Sequence, residues 1–197
     1  MTFLIGLTGS IGMGKSTTAR QFEAEGCAVW DADAAVHRLY AKGGAAVAPM
    51  ADAFPTAVID GAVSRDALKS IISQDPQALR RIEQIVHPLV GRDRAAFIAA
   101  TDARIVVLDI PLLFETGGDT RVDATVCVSV DAETQKKRVM SRGTMSEEQF
   151  GAILAKQMPD AEKRARADYV ITTDTPENAA RQVRAVLADI RRRMTHA

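Results

Sequence analysis

Phe3-Leu4-Ile5-Gly6-Leu7-Thr8-Gly9-Ser10-Ile11-Gly12-Met13-Gly14-Lys15-Ser16-Thr17 is the stretch that decides the fold. Phe3 to Leu7 is a short apolar run that breaks into a glycine-rich turn, the pattern of a buried strand. Residues 15–25 carry helix formers and stop at Gly26, so the turn joins a strand to a helix. Within it, Gly9 to Ser16 matches G-x-x-x-x-G-K-[ST]. Glycines at these positions let successive N–H groups face one phosphate, and the helix that follows adds its positive dipole end. Lys15 is placed to reach the β- and γ-phosphates and the Ser16 hydroxyl to ligate Mg²⁺, with Gly12, Met13, Gly14 and Thr17 completing a loop for a nucleoside triphosphate, the motif being silent on which one.

Four further apolar runs follow the same logic. Ala28-Val29-Trp30 enters Asp31-Ala32-Asp33; Ile105 to Leu108 enters Asp109 and Pro111; Ala124 to Val130 and Tyr169 to Ile171 are rich in β-branched residues. Helical sequence separates them, which predicts a five-stranded parallel sheet flanked by helices, an α/β class. Residues 45–100 read as mostly helical, with Asp75-Pro76 as N-cap and first turn, a stripe of Leu79, Ile82, Val86 and Leu89, and a kink or restart at Pro88. Residues 132–142 and 146–156 read as two helices around Gly143, the second opened by a Ser146–Gln149 capping box. Thr175-Pro176 opens a last helix with Val183, Val186, Leu187, Ile190 and Met194 on one face. One domain over 1–197 is expected, with 1–44 and 101–197 as nucleotide-binding core, 45–100 as a helical insertion and 132–166 as a lid.

The chain has 197 residues, with 25 Lys+Arg against 25 Asp+Glu. That balance argues against a nucleic-acid binder, whose affinity is driven by excess cations. It hides a separation: residues 136–166 hold eight Lys+Arg against four Asp+Glu. No apolar run reaches the ~20 residues of a membrane span, and Met1 to Leu7 lacks a signal-peptide pattern. Cys27 and Cys127 sit in apolar runs without metal-type spacing and read as buried free thiols of a reducing, cytoplasmic compartment. Neither oligomeric state nor partner chains are written in the sequence; a monomer or weak homo-oligomer is expected.

Function turns on what accepts the phosphate. The chain has no base-reading N-K-x-D of a GTPase and is short for a large ATPase, so a small-molecule kinase is favoured over a nucleotide switch. Asp33, beyond the second strand, is the candidate for the carboxylate that orients the acceptor hydroxyl and takes its proton, whereas Asp31 also reads as an N-cap. Asp109 is either a water-mediated metal partner or a polar strand end. Arg138 and Arg142, four apart beside Gly143, suit a lid that neutralises charge, or a solvated basic face. His87 is a structural histidine or a ligand. Pro111-Leu112-Leu113-Phe114-Glu115 is an acceptor-pocket wall or a packed connection.

Taken in order, these residues resemble the dephospho-CoA kinase family. The likeness spans most of the chain: the Ile5–Thr17 loop, Asp31-Ala32-Asp33, His87-Pro88-Leu89, Pro111 to Glu115, Arg138 with Arg142, Gln157, Lys163 and Ala167-Asp168-Tyr169-Val170-Ile171. The resemblance implies a P-loop kinase core with a helical acceptor-binding insertion and a helical lid. It also implies ATP-dependent phosphorylation of the ribose 3′-hydroxyl of dephospho-CoA, giving CoA and ADP with Mg²⁺. On this chain it makes Asp33, Lys15 and Arg142 catalytic, and Thr8, Asp33, His87, Leu112, Leu113, Phe114 and Glu115 substrate-binding. Another P-loop nucleoside or nucleotide kinase is the alternative. The sequence departs from the family's V-I-x-N-x-G pattern, reading Val170-Ile171-Thr172-Thr173-Asp174.

Overall fold

The computed structural model describes residues 2–196, without the side chain of His196. Its elements run β1 (Phe3–Thr8), α1 (Lys15–Ala24), β2 (Ala28–Asp31), α2 (Ala32–Tyr40), α3 (Val47–Ala53), β3 (Val58–Ile59), β4 (Ala62–Val63), α4 (Arg65–Gln74) and α5 (Pro76–Ala100). Then come β5 (Ile105–Asp109), β6 (Ala124–Ser129), α6 (Ala132–Ser141), α7 (Glu147–Lys156), α8 (Asp160–Arg166), β7 (Tyr169–Thr172) and α9 (Pro176–His196). The chain divides into two compact units: residues 1–30 with 102–197, and residues 31–101. The division at Asp31, rather than at residue 45, puts α2 with the inserted unit, because α2 packs on α5.

In the first unit the sheet order is β2-β5-β1-β6-β7. β1 lies parallel between β5 and β6, with Leu7 opposite Asp109 on one side and Val126 on the other. A central strand of a parallel sheet is covered on both faces, and Ile5 and Leu7 are fully buried with Val107, Val126 and Val128. Phe22 of α1 and Val183, Leu187 and Ile190 of α9 close over this core, as the helical stripe predicts. Strand β6 stops at Ser129, one residue short of the apolar run. The Ala167-Asp168-Tyr169 motif has a structural use: Asp168 Oδ2 accepts from both the N–H (2.7 Å) and the hydroxyl (2.8 Å) of Thr125, aligning β7 on β6.

The second unit has its own core of Met50, Phe54, Leu68, Ala78, Ile82 and Val86. Three features differ from the sequence reading. The stretch is interrupted by a β3–β4 hairpin turning at Asp60-Gly61, both with left-handed φ (52° and 79°), the geometry of the tight two-residue turn. Of a kink or a restart at Pro88, the restart does not occur: helix α5 runs through it, with Val86 and Leu89 on either side buried and the proline ring exposed. Leu79 is 45% exposed and Ala78 takes its place in the stripe, four residues before Ile82. Asp75 caps α5 as expected, accepting from Gln77 N–H at 2.9 Å.

Both cysteines are free and buried. Burial pushes the Cys27 thiol up to about 11 and the Cys127 thiol up to about 12, since no nearby cation outweighs the loss of water around a thiolate. Neither thiol should therefore react with iodoacetamide at pH 8 in the native protein, while both should label in denaturant; rapid native labelling of either, followed by mass spectrometry, would contradict this packing.

Candidate active site

The phosphate loop is shaped by its glycines. Gly12 and Gly14 hold φ of 79° and 89°, a region that costs an L-residue strain. A Cβ on Gly12 would fall 2.6 Å from Val139 Cγ2, so helix α6 packs directly on the loop. The loop is also held by two glutamines: Gln135 Nε2 donates to the Ile11 carbonyl (2.7 Å) and Gln157 Oε1 accepts the Ile11 N–H (3.3 Å). The Met13 side chain is buried, its Sδ accepting from Val130 N–H at 3.2 Å, so Met13 serves the loop through its backbone. Helix α1 begins with no side-chain cap, which leaves its first-turn N–H groups for an anion.

Lys15, the first residue of α1, is hydrogen-bonded through Nζ to Asp109 Oδ1 at the end of β5. The Asp109 side chain is only 3% exposed, so its charge is met by the ammonium. The structure pairs Asp109, at the strand end, with the lysine of the loop, a contact that neither sequence reading of Asp109 includes. Ser16 and Thr17 are exposed beside it.

A cavity of about 240 Å³ adjoins the loop, lined by Gly14, Thr17, Arg138, Arg142, Thr173 and Pro176. Thus Arg138 and Arg142, one on α6 and one at its C-cap, face the same space. They differ in engagement. Arg138 donates to the Thr173 carbonyl (2.5 Å) and hydroxyl (3.1 Å), while Arg142 is exposed. Thr173 in turn donates to the Met13 carbonyl at 2.6 Å. The residue at which the chain departs from V-I-x-N-x-G therefore bridges Arg138 and the phosphate loop. Thr173 stands out in the sequence only as a departure from the family pattern, and Gln135 not at all, because a glutamine in a polar helix carries no local signal.

The loop after β5 is a packed connection for most of its length. Leu113 and Phe114 are buried, at 0% and 4% exposure, with the Arg166 guanidinium 4.9 Å from the Phe114 ring centroid; only Leu112 presents its side chain outward. Leu113 and Phe114, expected at the acceptor, thus have their side chains packed in the core. Thr8 is fully buried and donates to the Pro111 carbonyl at 3.0 Å. Glu115 Oε1 accepts from Lys163 Nζ (2.8 Å) and Met158 N–H (2.9 Å), so it is an internal ion-pair partner. In the other unit, Asp33 stands exposed in the first turn of α2, whose N-cap is Asp31, accepting from Ala34 N–H at 3.0 Å. His87 is exposed on α5. Among the described residues no cluster of three or more His, Cys, Asp or Glu forms a metal cage.

A glycine cradle, a lysine fixed by a strand-end carboxylate and two arginines at one cavity define a nucleotide-binding phosphotransferase of the P-loop kinase class. The family model described as dephospho-CoA kinase matches residues 3–178. The chain is 64% identical over 197 residues, all of both chains, to the dephospho-CoA kinase of Ruegeria pomeroyi, and 57% identical over 189 residues, 96% of each chain, to that of Cereibacter sphaeroides. A crystal structure of a Thermus thermophilus protein superposes with a TM-score of 0.84 at 36% identity, covering 95% of this chain and 97% of that one. The chain belongs to the dephospho-CoA kinase family.

Two outcomes follow from this geometry. Removing Arg138 frees the Thr173 segment, so Arg138→Ala should raise the ATP KM on the order of tenfold, the worth of a charge-assisted hydrogen bond, as steady-state kinetics with varied ATP will show. Burial opposes ionisation of Glu115, but the hydrogen bonds from Lys163 and Met158 outweigh it and hold its carboxyl below the usual range. A depressed carboxylate contributes stability above its unfolded pKa and loses it as pH falls through the folded value. Glu115→Gln should therefore flatten the acid limb of the thermal midpoint against pH, between about pH 5 and 3; an unchanged acid limb would exclude Glu115 from that linkage.

Proposed function

We infer that the chain transfers the γ-phosphate of ATP to the ribose 3′-hydroxyl of dephospho-CoA, releasing CoA and ADP, the final step of coenzyme A biosynthesis. The observation that carries this is full-length identity with the family together with an intact phosphate cradle whose lysine is held at the β5 end.

In this reading the cradle N–H groups and Lys15 hold the triphosphate. Arg138 and Arg142 neutralise the charge that spreads over the transferred group, and the 132–166 segment acts as the lid that carries them. The exposed Asp33 carboxylate orients the 3′-hydroxyl and accepts its proton as the oxygen bonds to the γ-phosphorus. The bond from that phosphorus to the β–γ bridging oxygen breaks, and ADP leaves with the electron pair. His87 and Leu112 are the exposed members of the expected acceptor set, and residues 45–100 the acceptor-binding stretch.

The donor set fits Mg²⁺ as the nucleotide's companion: one exposed hydroxyl, Ser16, and a buried Asp109 within the loop's network, with no protein cage among the described residues. Bound there, Mg²⁺ would screen the phosphate charge. We also propose a cytoplasmic protein, monomeric or weakly self-associating, without nucleic-acid or membrane partners. No helix of the described residues is long and apolar enough to cross a membrane.

Incubation with Mg-ATP and dephospho-CoA should yield CoA and ADP by mass. Turnover of other nucleosides or nucleotides, with none of dephospho-CoA by folded protein, would instead establish the alternative kinase. Asp33→Asn should reduce kcat by about 100-fold or more while ATP binding persists; near-normal kcat would remove Asp33 from the proton-accepting role.

A further inference from the structure

Among the described residues, Lys163 is the one cation that is fully buried, with a side-chain exposure of 0%. It comes from α8, a short helix with no part in the phosphate cradle. Its ammonium lies 2.8 Å from Glu115 Oε1 and donates to the Pro111 carbonyl at 3.1 Å. The same carbonyl accepts from Thr8, the last residue of β1 before the phosphate loop. Pro111 is two residues past Asp109, and Ile110 N–H between them still donates to the Leu7 carbonyl at 2.9 Å. The exit of β5 is thus clamped by the end of β1 from one side and by Lys163 from the other.

The clamp reaches the loop by a second route. Met158 N–H donates to Glu115 Oε1, and the neighbouring Gln157 accepts the Ile11 N–H. The segment 157–163 therefore holds both the apex of the phosphate loop and the connection after β5. This arrangement is costly. A buried ion pair is weak support for stability compared with apolar residues of the same volume. Glu115 Oε2 is, in addition, buried without a protein hydrogen-bond partner. A group of this kind calls for an explanation, and a role in function is one.

We propose that Lys163, acting through Glu115 and the Pro111 carbonyl, is a positioning residue for phosphoryl transfer, which fixes the exit of β5 and so the alignment of the Lys15–Asp109 pair with the phosphate loop. It touches no substrate. The inference rests on the phosphotransfer reading above. Wild-type turnover of dephospho-CoA in the same assay separates the two, since failure of that reading is seen in the wild type and failure of this role only in the variants.

Three variants test it: Lys163→Met, which keeps the stem volume without the charge, Glu115→Gln, and the double variant, which leaves no unpaired charge inside. Thermal midpoint, kcat at saturation with both substrates, and both KM values are measured on each. Lys163→Met is expected to lower the midpoint and to cut kcat by about 10- to 100-fold, the effect of a misplacement of about 1 Å. The double variant is expected to recover most of the midpoint, while kcat stays at least about tenfold down. A kcat that returns with the midpoint, or one that Lys163→Met leaves unchanged, overturns the proposal and makes the pair structural. If Lys163→Met fails to fold, the double variant decides alone.

Discussion

The contact between Lys15 and Asp109 is the one on which the first unit's chemistry depends. Strand β5 is buried along its whole length and ends in a carboxylate that is itself almost inaccessible. A charge in that position requires a partner, and the partner is the first residue of α1. One ion pair therefore settles two matters. It allows an apolar strand to finish in an aspartate, and it fixes where α1 begins relative to the sheet. The same contact fixes where the lysine's ammonium sits at the end of β5.

Around that pair, polar side chains spend most of their hydrogen bonds on backbone. Gln135 and Gln157 grip opposite groups of Ile11, Thr173 grips Met13, and Arg138 grips Thr173. Each is a long-range contact in sequence, and each ends on the phosphate loop or one step away. The basic block of residues 136–166 is accordingly not uniform. Arg138 supports the loop, Lys163 is interior, Lys136 pairs with Glu147 across the α6–α7 joint, and Arg142 is exposed.

How much was legible follows from how local each signal is. The five sheet strands and the phosphate loop are written in contiguous residues, apolar runs followed by turn chemistry, and the structure reproduces them with boundaries shifted by a residue or so. The β3–β4 hairpin was missed although Asp60-Gly61 is a strong turn signal, because two-residue strands have no alternation to detect. Helix α8 was missed because its sequence, DAEKRAR, shows no apolar period; its buried face is a lysine. Leu79 and Ala78 exchanged roles since neighbouring residues differ by about 100° around a helix, and size alone does not choose between them. In the site, residues that meet the phosphate loop through their own motif were readable. Gln135, which reaches it across the fold, was not, Thr173 was visible only as a departure from the family pattern, and Leu113 with Phe114 face inward although their loop follows the strand end beside the site.

The first unit is built from two pieces of chain, and its central pairing joins Phe3 to Ile105. During synthesis β1 leaves the ribosome about a hundred residues before its first neighbour in the sheet exists, while the inserted unit has all its contacts in one continuous stretch. Closing so long a loop on an unstructured chain carries an entropic cost that a folded insert shortens. The connectivity therefore favours one order, in which an insert that condenses on its own shortens the loop that β1 closes to pair with β5. Until that moment an apolar strand has both edges open, the kind of segment that aggregates when it waits too long. The position of the insertion is in this sense a matter of timing as well as of architecture.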